Sequence, residues 1–270
     1  MRRDTTSTRI PPRPAHVSGS AIRVEGVTKV YASDSGPVAA LDPIDIDVRD
    51  GEFVSLLGPS GCGKSTLLHI MAGLTEATAG TVTIGGTPSR ADRADVAIML
   101  QRPVLFPWKN VLHNVMLPAR LQGHDATAAT EAAMHYLELT GLTDFAHKRV
   151  WELSGGMKQR VSLARALATD PPVLLMDEPF SALDEFTRER LNVELARLHS
   201  EHSRTTVFVT HNIAEAVLLS DRIVTMRPRP GGVVDIIDIE LPRPRTTALA
   251  SAPAAGDLAA KVRESINAYL

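Results

Sequence analysis

Apolar and polar residues alternate early in the chain, at Ile22, Val24 and Val27 and again at Ile44, Ile46 and Val48. That spacing predicts half-buried strands, so an antiparallel β layer comes first. Asp50-Gly51, ahead of Glu52 to Leu57, reads as a tight hairpin turn, and Thr81 to Ile84 and Val96 to Leu100 as further strands with a turn at Gly85-Gly86. The pattern then turns helical through Val111 to Leu121 and Ala126 to Leu139, marking an inserted helical subdomain over about 102–165. Val173 to Met176 are apolar without interruption, as in a parallel strand covered on both faces. Leu191, Leu195 and Leu198 recur at helical spacing, with His199 and His202 as a solvated pair on one face of that helix. Thr206 to Thr210, Ile223 to Met226 and Val233 to Ile239 read as late strands, followed by a linker at Leu241 to Arg245 and a terminal amphipathic helix. The domain expectation is a flexible tail over 1–20, one α/β domain over 21–245 and a helical extension over 246–270.

Composition narrows the function classes. The formal net charge of −2 gives no basic field for nucleic acid, and 4% aromatic residues leave few stacking faces for single strands. One cysteine, Cys62, excludes an intrachain disulfide framework. No apolar run approaches the roughly 20 residues of a membrane span. Arg2-Arg3 is followed by a polar, proline-bearing stretch with no apolar core, unlike an export signal, so the expectation is a cytoplasmic protein.

Gly58-Pro59-Ser60-Gly61-Cys62-Gly63-Lys64-Ser65 fits the phosphate-binding loop pattern, and it lies between a hydrophobic strand and a helix, where that chemistry works. Loop amides cradle phosphates, Lys64 reaches the β and γ oxygens and Ser65 offers a hydroxyl to Mg²⁺. Cys62 is either a reactive thiol at a helix start or a small loop filler. Asp177 and Glu178 close the apolar strand at the edge where α/β sheets place ligands. Asp177 suits a Mg²⁺ ligand, and Glu178 a group that polarises an attacking water.

A second anion site is predicted at Leu153 to Arg160, where Ser154 is an N-cap and Gly155 and Gly156 let backbone amides approach a ligand. Tyr31, after the first strand, is either a purine-stacking ring or a rim tyrosine, while Gln101 and His211 sit at strand ends and draw meaning only from neighbouring motifs. Phe106 and Trp108 flank Pro107 in an exposed loop, which either packs inward or serves as a docking surface.

Gly58 to Thr66, Gln101, Leu153 to Arg160, Val173 to Pro179, Ser181 to Asp184 and His211 together resemble the ordered motif set of ATP-binding-cassette (ABC) ATPases. The resemblance implies a mostly parallel P-loop NTPase core with an antiparallel β layer and a helical subdomain. It also implies adenine stacking by Tyr31, ATP contacts along Gly58 to Thr66, and Mg²⁺ at Ser65, Gln101 and Asp177. The catalytic set it implies is Glu178 as general base with His211, Gln101 and Lys64. Ser154, Gly155 and Gly156 would act in trans, from a second copy closed head to tail. Leu105 to Val111, Arg229 to Gly232 and Leu241 to Arg245 are similar to ATPases of nitrate, sulfonate and taurine importers, although Phe106 and Gly232 depart from the usual pattern. That similarity implies permease subunits in a membrane, an extracytoplasmic solute-binding protein reached through them, and a place on the cytoplasmic membrane face. A soluble ABC ATPase of a non-transport assembly is the competing expectation, and an exporter ATPase, against which the Pro107-Trp108 loop weighs, is a third.

Overall fold

The alternating segments do form an antiparallel layer. In the computed structural model, which describes residues 20–34, 36–202, 204–250 and 252–269, β1 (Ser20–Tyr31), β2 (Val38–Arg49), β4 (Ala79–Ile84) and β5 (Thr87–Pro88) make one sheet in the order β2-β1-β4-β5. The tail expected over 1–20 lies outside the described residues except for Ser20, the first residue of β1. Tyr31 is the last residue of β1, paired with Val38.

The uninterrupted apolar runs go to a second sheet, because a strand covered on both faces needs no polar side. It contains β3 (Phe53–Leu57), β6 (Val96–Met99), β7 (Val173–Asp177), β8 (Thr205–Thr210), β9 (Arg222–Arg227) and β10 (Gly232–Asp238), in the order β10-β9-β3-β8-β7-β6. The pairs are parallel except β9 with β10. The expected hairpin at Asp50-Gly51 is therefore wrong. Every residue of β3 is buried, so it runs parallel between β8 and β9 and does not return along half-exposed β2. The turn changes sheets, and Gly51 N–H donates to Thr205 Oγ1 at 3.0 Å.

Helix α1 (Lys64–Met71) lies between the sheets, its Leu67, Leu68 and Met71 sharing one core with Ile22, Val24, Leu56 and Val209. A second core joins Phe53 and Phe208 to α2 (Val111–Leu121), α3 (Ala126–Leu139), α4 (Gly155–Leu167) and α5 (Glu185–His202). Here His199 corrects the solvated-pair reading. It shares an inward face with Asn192, Leu195 and Ala196, stands edge-on to Phe53 at 5.3 Å, and is 6% exposed; His202 is half-buried.

A third core joins Leu57 to α6 (Ile213–Leu219) and to the C-terminal α8 (Pro253–Asn267), which follows the short α7 (Thr247–Ala250). The segment expected as a linker is bound tightly into it. Arg245 is 2% exposed and donates to the carbonyls of Val217, Leu218, Ser220, Ile239 and Leu241, while Arg243 pairs with Asp221 at 2.7 Å. Burial pushes the Arg245 guanidinium down to about 10, with Arg243 beside it adding to the effect.

Candidate active site

The P-loop turns from β3 into α1 in a conformation that only small residues permit. Gly63, the N-cap of α1, has φ 88°, and a Cβ there would strike Leu41 Cδ2. A Cβ on Gly58 would strike Met226 O, so the loop lies directly on its neighbours. Beside it opens a cleft of about 480 Å³ lined by Val38 to Ala40, Ser60, Gly61, Gly63 to Thr66, Gln101, Glu178 and Arg229.

Strand topology brings the chemistry to this cleft, since β3, β6, β7 and β8 all present C-terminal ends at one edge of the parallel sheet. Lys64 Nζ, 5% exposed with the rest of its side chain, donates to Gly58 O at 2.8 Å and Pro59 O at 2.9 Å. Cys62 Sγ lies 3.5 Å from it and is fully buried, which fits a loop filler and not an accessible thiol. Ser65 Oγ donates to Asp177 Oδ1 at 2.8 Å, and His69 Nε2 stands 3.7 Å from Asp177 Oδ2. Burial pushes the Asp177 carboxyl up, against the lowering effect of the Ser65 hydroxyl.

Glu178 is the meeting point of the strand ends. Gln101 Nε2 donates to its Oε2 at 3.1 Å, and His211 Nδ1 lies 3.6 Å from the same oxygen. Its backbone has φ 44°, a left-handed conformation that a non-glycine residue holds only when its surroundings impose it. Here Glu178 N–H continues the ladder by donating to Val209 O at 3.0 Å.

The other expected site residues lie apart from this group. Tyr31 is exposed and does not line the cleft, although its partner Val38 does; Lys29 Nζ stands 4.9 Å over its ring. The helix start of α4 does not line the cleft either. Ser154 Oγ accepts from Met157 N–H at 3.2 Å, Ser154 and Gly155 are exposed, and a Cβ on Gly155 would meet nothing within 4 Å. Gly156 is tighter, because a Cβ there would come 3.0 Å from Ala182 O.

A profile described as "ABC transporter" matches residues 41–181, a span that holds the P-loop, Gln101, the α4 helix start and both strand-end acids. This chain belongs to the ABC transporter family. Among ABC relatives it is similar to the taurine import ATP-binding protein of Jannaschia sp., 43% identical over 200 residues, covering 74% of this chain and 75% of that one. It is also similar to the nitrate import ATP-binding protein of Synechococcus elongatus, 39% identical over 239 residues and 87% of each chain. The solved dimeric structure of an ATP-binding cassette in a post-hydrolysis state with ADP and Pi superposes with a TM-score of 0.75 at 33% identity, covering 82% of this chain and 99% of that one. The chain is thus an ABC ATPase cassette with the P-loop α/β fold. Among the described residues no helix is long and apolar enough to cross a membrane.

Several residues of this ABC site carry no local sequence signal. Val38 to Ala40 and Arg229 enter the cleft from distant segments. Glu215 is buried under the end of β8, where Thr210 Oγ1 donates to its Oε2 at 2.7 Å and Arg188 Nε stands 3.7 Å away; burial pushes its carboxyl up. A signal did exist for Asn114, a polar residue among the apolar positions of α2. It is fully buried, accepts from Phe106 N–H at 2.7 Å and donates to Phe106 O at 3.1 Å. The loop it holds differs from expectation in one respect, since Phe106 is half-buried against Trp108 at 5.2 Å and only Trp108 is largely exposed, at 67%.

Proposed function

We propose that the chain is the ATP-hydrolysing subunit of an importer, coupling ATP binding and hydrolysis to solute uptake through a separate membrane permease. The observation that carries the ATPase chemistry is the convergence of Lys64, Ser65, Asp177, Gln101, Glu178 and His211 around one cleft. In this reading the loop Gly58 to Thr66 cradles the triphosphate, Lys64 exchanges the Gly58 and Pro59 carbonyls for phosphate oxygens, and Tyr31 stacks on the adenine from the rim. Glu178 takes a proton from the attacking water, Gln101 holds that carboxylate in place, and His211 donates to the γ-phosphate.

The donor set fits Mg²⁺. A hydroxyl and a carboxylate in contact, with the Gln101 amide nearby, offer the hard oxygen ligands that ion prefers. Asp177, whose carboxyl is pushed up by burial, would be stabilised in its charged form by such an ion. Ser65, Asp177 and Gln101 would hold it, and when bound it would neutralise charge on the phosphate oxygens.

Ser154, Gly155 and Gly156 act in trans, where a second copy closing head to tail brings its α4 N–H groups to the γ-phosphate. The exposed helix start and the dimeric state of the similar cassette support this. The permease docks on the surface holding Trp108 and Trp151, which are 67% and 66% exposed; Arg149 lies 5.8 Å over the Trp151 ring and donates to Trp108 O at 2.9 Å. We read 102–165 as the helical subdomain that carries this surface, and 246–270 as an extension of the cassette. The names of the similar taurine and nitrate proteins favour a small solute of the nitrate, sulfonate or taurine type delivered by an extracytoplasmic binding protein, and support a position for this chain on the cytoplasmic membrane face. The test is affinity purification of the tagged chain from detergent-solubilised membranes of its own cells. An integral membrane partner whose presence alters ATP hydrolysis supports the reading; a soluble complex or nucleic acid overturns it.

A further inference from the structure

The cleft contains a second cation outside the motif set. Arg229 lines it together with Val38 to Ala40 and the P-loop, from the turn between β9 and β10. Its guanidinium makes no hydrogen bond or ion pair with any other described residue, whereas Arg227, two positions earlier, pairs with Asp42 and donates to Pro230 O at 2.8 Å. The chain therefore satisfies one arginine of this turn internally and leaves the other facing the cleft.

The backbone around Arg229 is fixed by the same loop that holds the phosphate site. Arg229 has φ 46°, which a side-chain-bearing residue adopts only under constraint from its neighbours. Those neighbours are identifiable. Gly231 N–H donates to Ala40 O at 2.9 Å, Asp42 N–H donates to Gly231 O at 2.8 Å, and a Cβ on Gly231 would strike Cys62 O. The turn is wedged between β2 and the P-loop, so Arg229 is carried at the lip of the cleft and not on a free loop.

We propose that Arg229 is a nucleotide-binding residue whose guanidinium contacts the phosphate chain of ATP, adding a second positive charge to that of Lys64. The proposal rests on the reading of this cleft as the ATP site. A planar guanidinium with several N–H donors matches phosphate oxygens well, and a charge at an exposed lip acts weakly compared with a buried one. The expected effect is accordingly modest, a three- to tenfold change in affinity.

The test is calorimetric titration of magnesium with AMP-PNP, and separately with ADP, into the full-length chain and its variants. Arg229→Ala is expected to weaken binding about three- to tenfold, to flatten its salt dependence and to leave the thermal midpoint unchanged, with Arg229→Lys recovering part of the loss. If the alanine variant loses stability, Arg229→Gln, which keeps a polar chain, takes its place. Unchanged affinity overturns the proposal, and so does a defect seen only on dimer formation, which would turn Arg229 towards a partner copy. Lys64→Ala in parallel separates the two readings: intact AMP-PNP binding in that variant removes the cleft as the ATP site, whatever Arg229 does.

Discussion

Gln101 Nε2 and Glu178 Oε2 are 3.1 Å apart, joining the ends of neighbouring parallel strands β6 and β7 across 77 positions of sequence. The amide donates, so the carboxylate is held as an acceptor, as a group that takes a proton from water must be. Replacing it removes basicity while keeping shape. Glu178→Gln is expected to lower ATP turnover by about 10²–10⁴-fold with ATP affinity retained. Phosphate release and calorimetry check both halves, and unchanged turnover would remove Glu178 from the base role.

Asp177 illustrates a site residue that opposes stability. Burial pushes its carboxyl up, so the charged form is disfavoured in the folded chain and favoured in the unfolded one. The folded chain therefore gains from protonation of Asp177, and this contribution is lost as pH rises through the raised value. Asp177→Asn, which can still accept from Ser65, is expected to be more stable than wild type at neutral pH by about 0.5–2 kcal/mol, while losing ATPase activity. The gap should narrow as pH falls, because the wild-type carboxyl then becomes neutral too. Thermal melts from neutral to mildly acidic pH, without nucleotide, measure it.

The segment Leu241 to Arg245 had no visible reason in the sequence to be more than a linker, yet Arg245 donates to five carbonyls and is 2% exposed. Nearby Asp221 collects Phe53 N–H, His199 and Arg243; burial pushes its carboxyl up, but these donors prevail and hold it well below the usual range. Arg245→Ala would strand those carbonyls and is expected to destabilise the chain by about 3–5 kcal/mol, read by urea denaturation.

Legibility followed the range of the signal. The P-loop, the strand-end acids and the α4 helix start are local patterns, and local patterns fixed α2 and α3 at their observed bounds. What stayed hidden depends on which distant segments meet. Period-two alternation marks β2 as half-exposed, but nothing near Asp50-Gly51 says that β3 will cross to another sheet; only the buried run Phe53 to Leu57 hints at it. His199 looked solvated because the face of α5 that meets Phe53 is set by tertiary packing. Arg229 and Val38 to Ala40 reach the cleft through the register of β9 and β2, which no spacing rule encodes.

The most direct test of head-to-tail closure comes from mixing defects. Lys64 belongs to the cleft, whereas Ser154 and Gly155 are exposed and absent from its lining. If each active centre takes its P-loop from one copy and its α4 helix start from another, Lys64→Ala and Ser154→Arg disable both centres of their own homodimers. Their heterodimer differs: one centre carries both defects and the other carries none. At equal amounts half of the dimers are mixed, so about a quarter of the wild-type centres are restored. Hydrolysis near that fraction, from two preparations that are each inactive, is the expected result. If the mixture stays inactive although mass spectrometry finds heterodimers, the centre is not shared between copies. An active Ser154→Arg homodimer would instead show that the α4 helix start is not needed for hydrolysis.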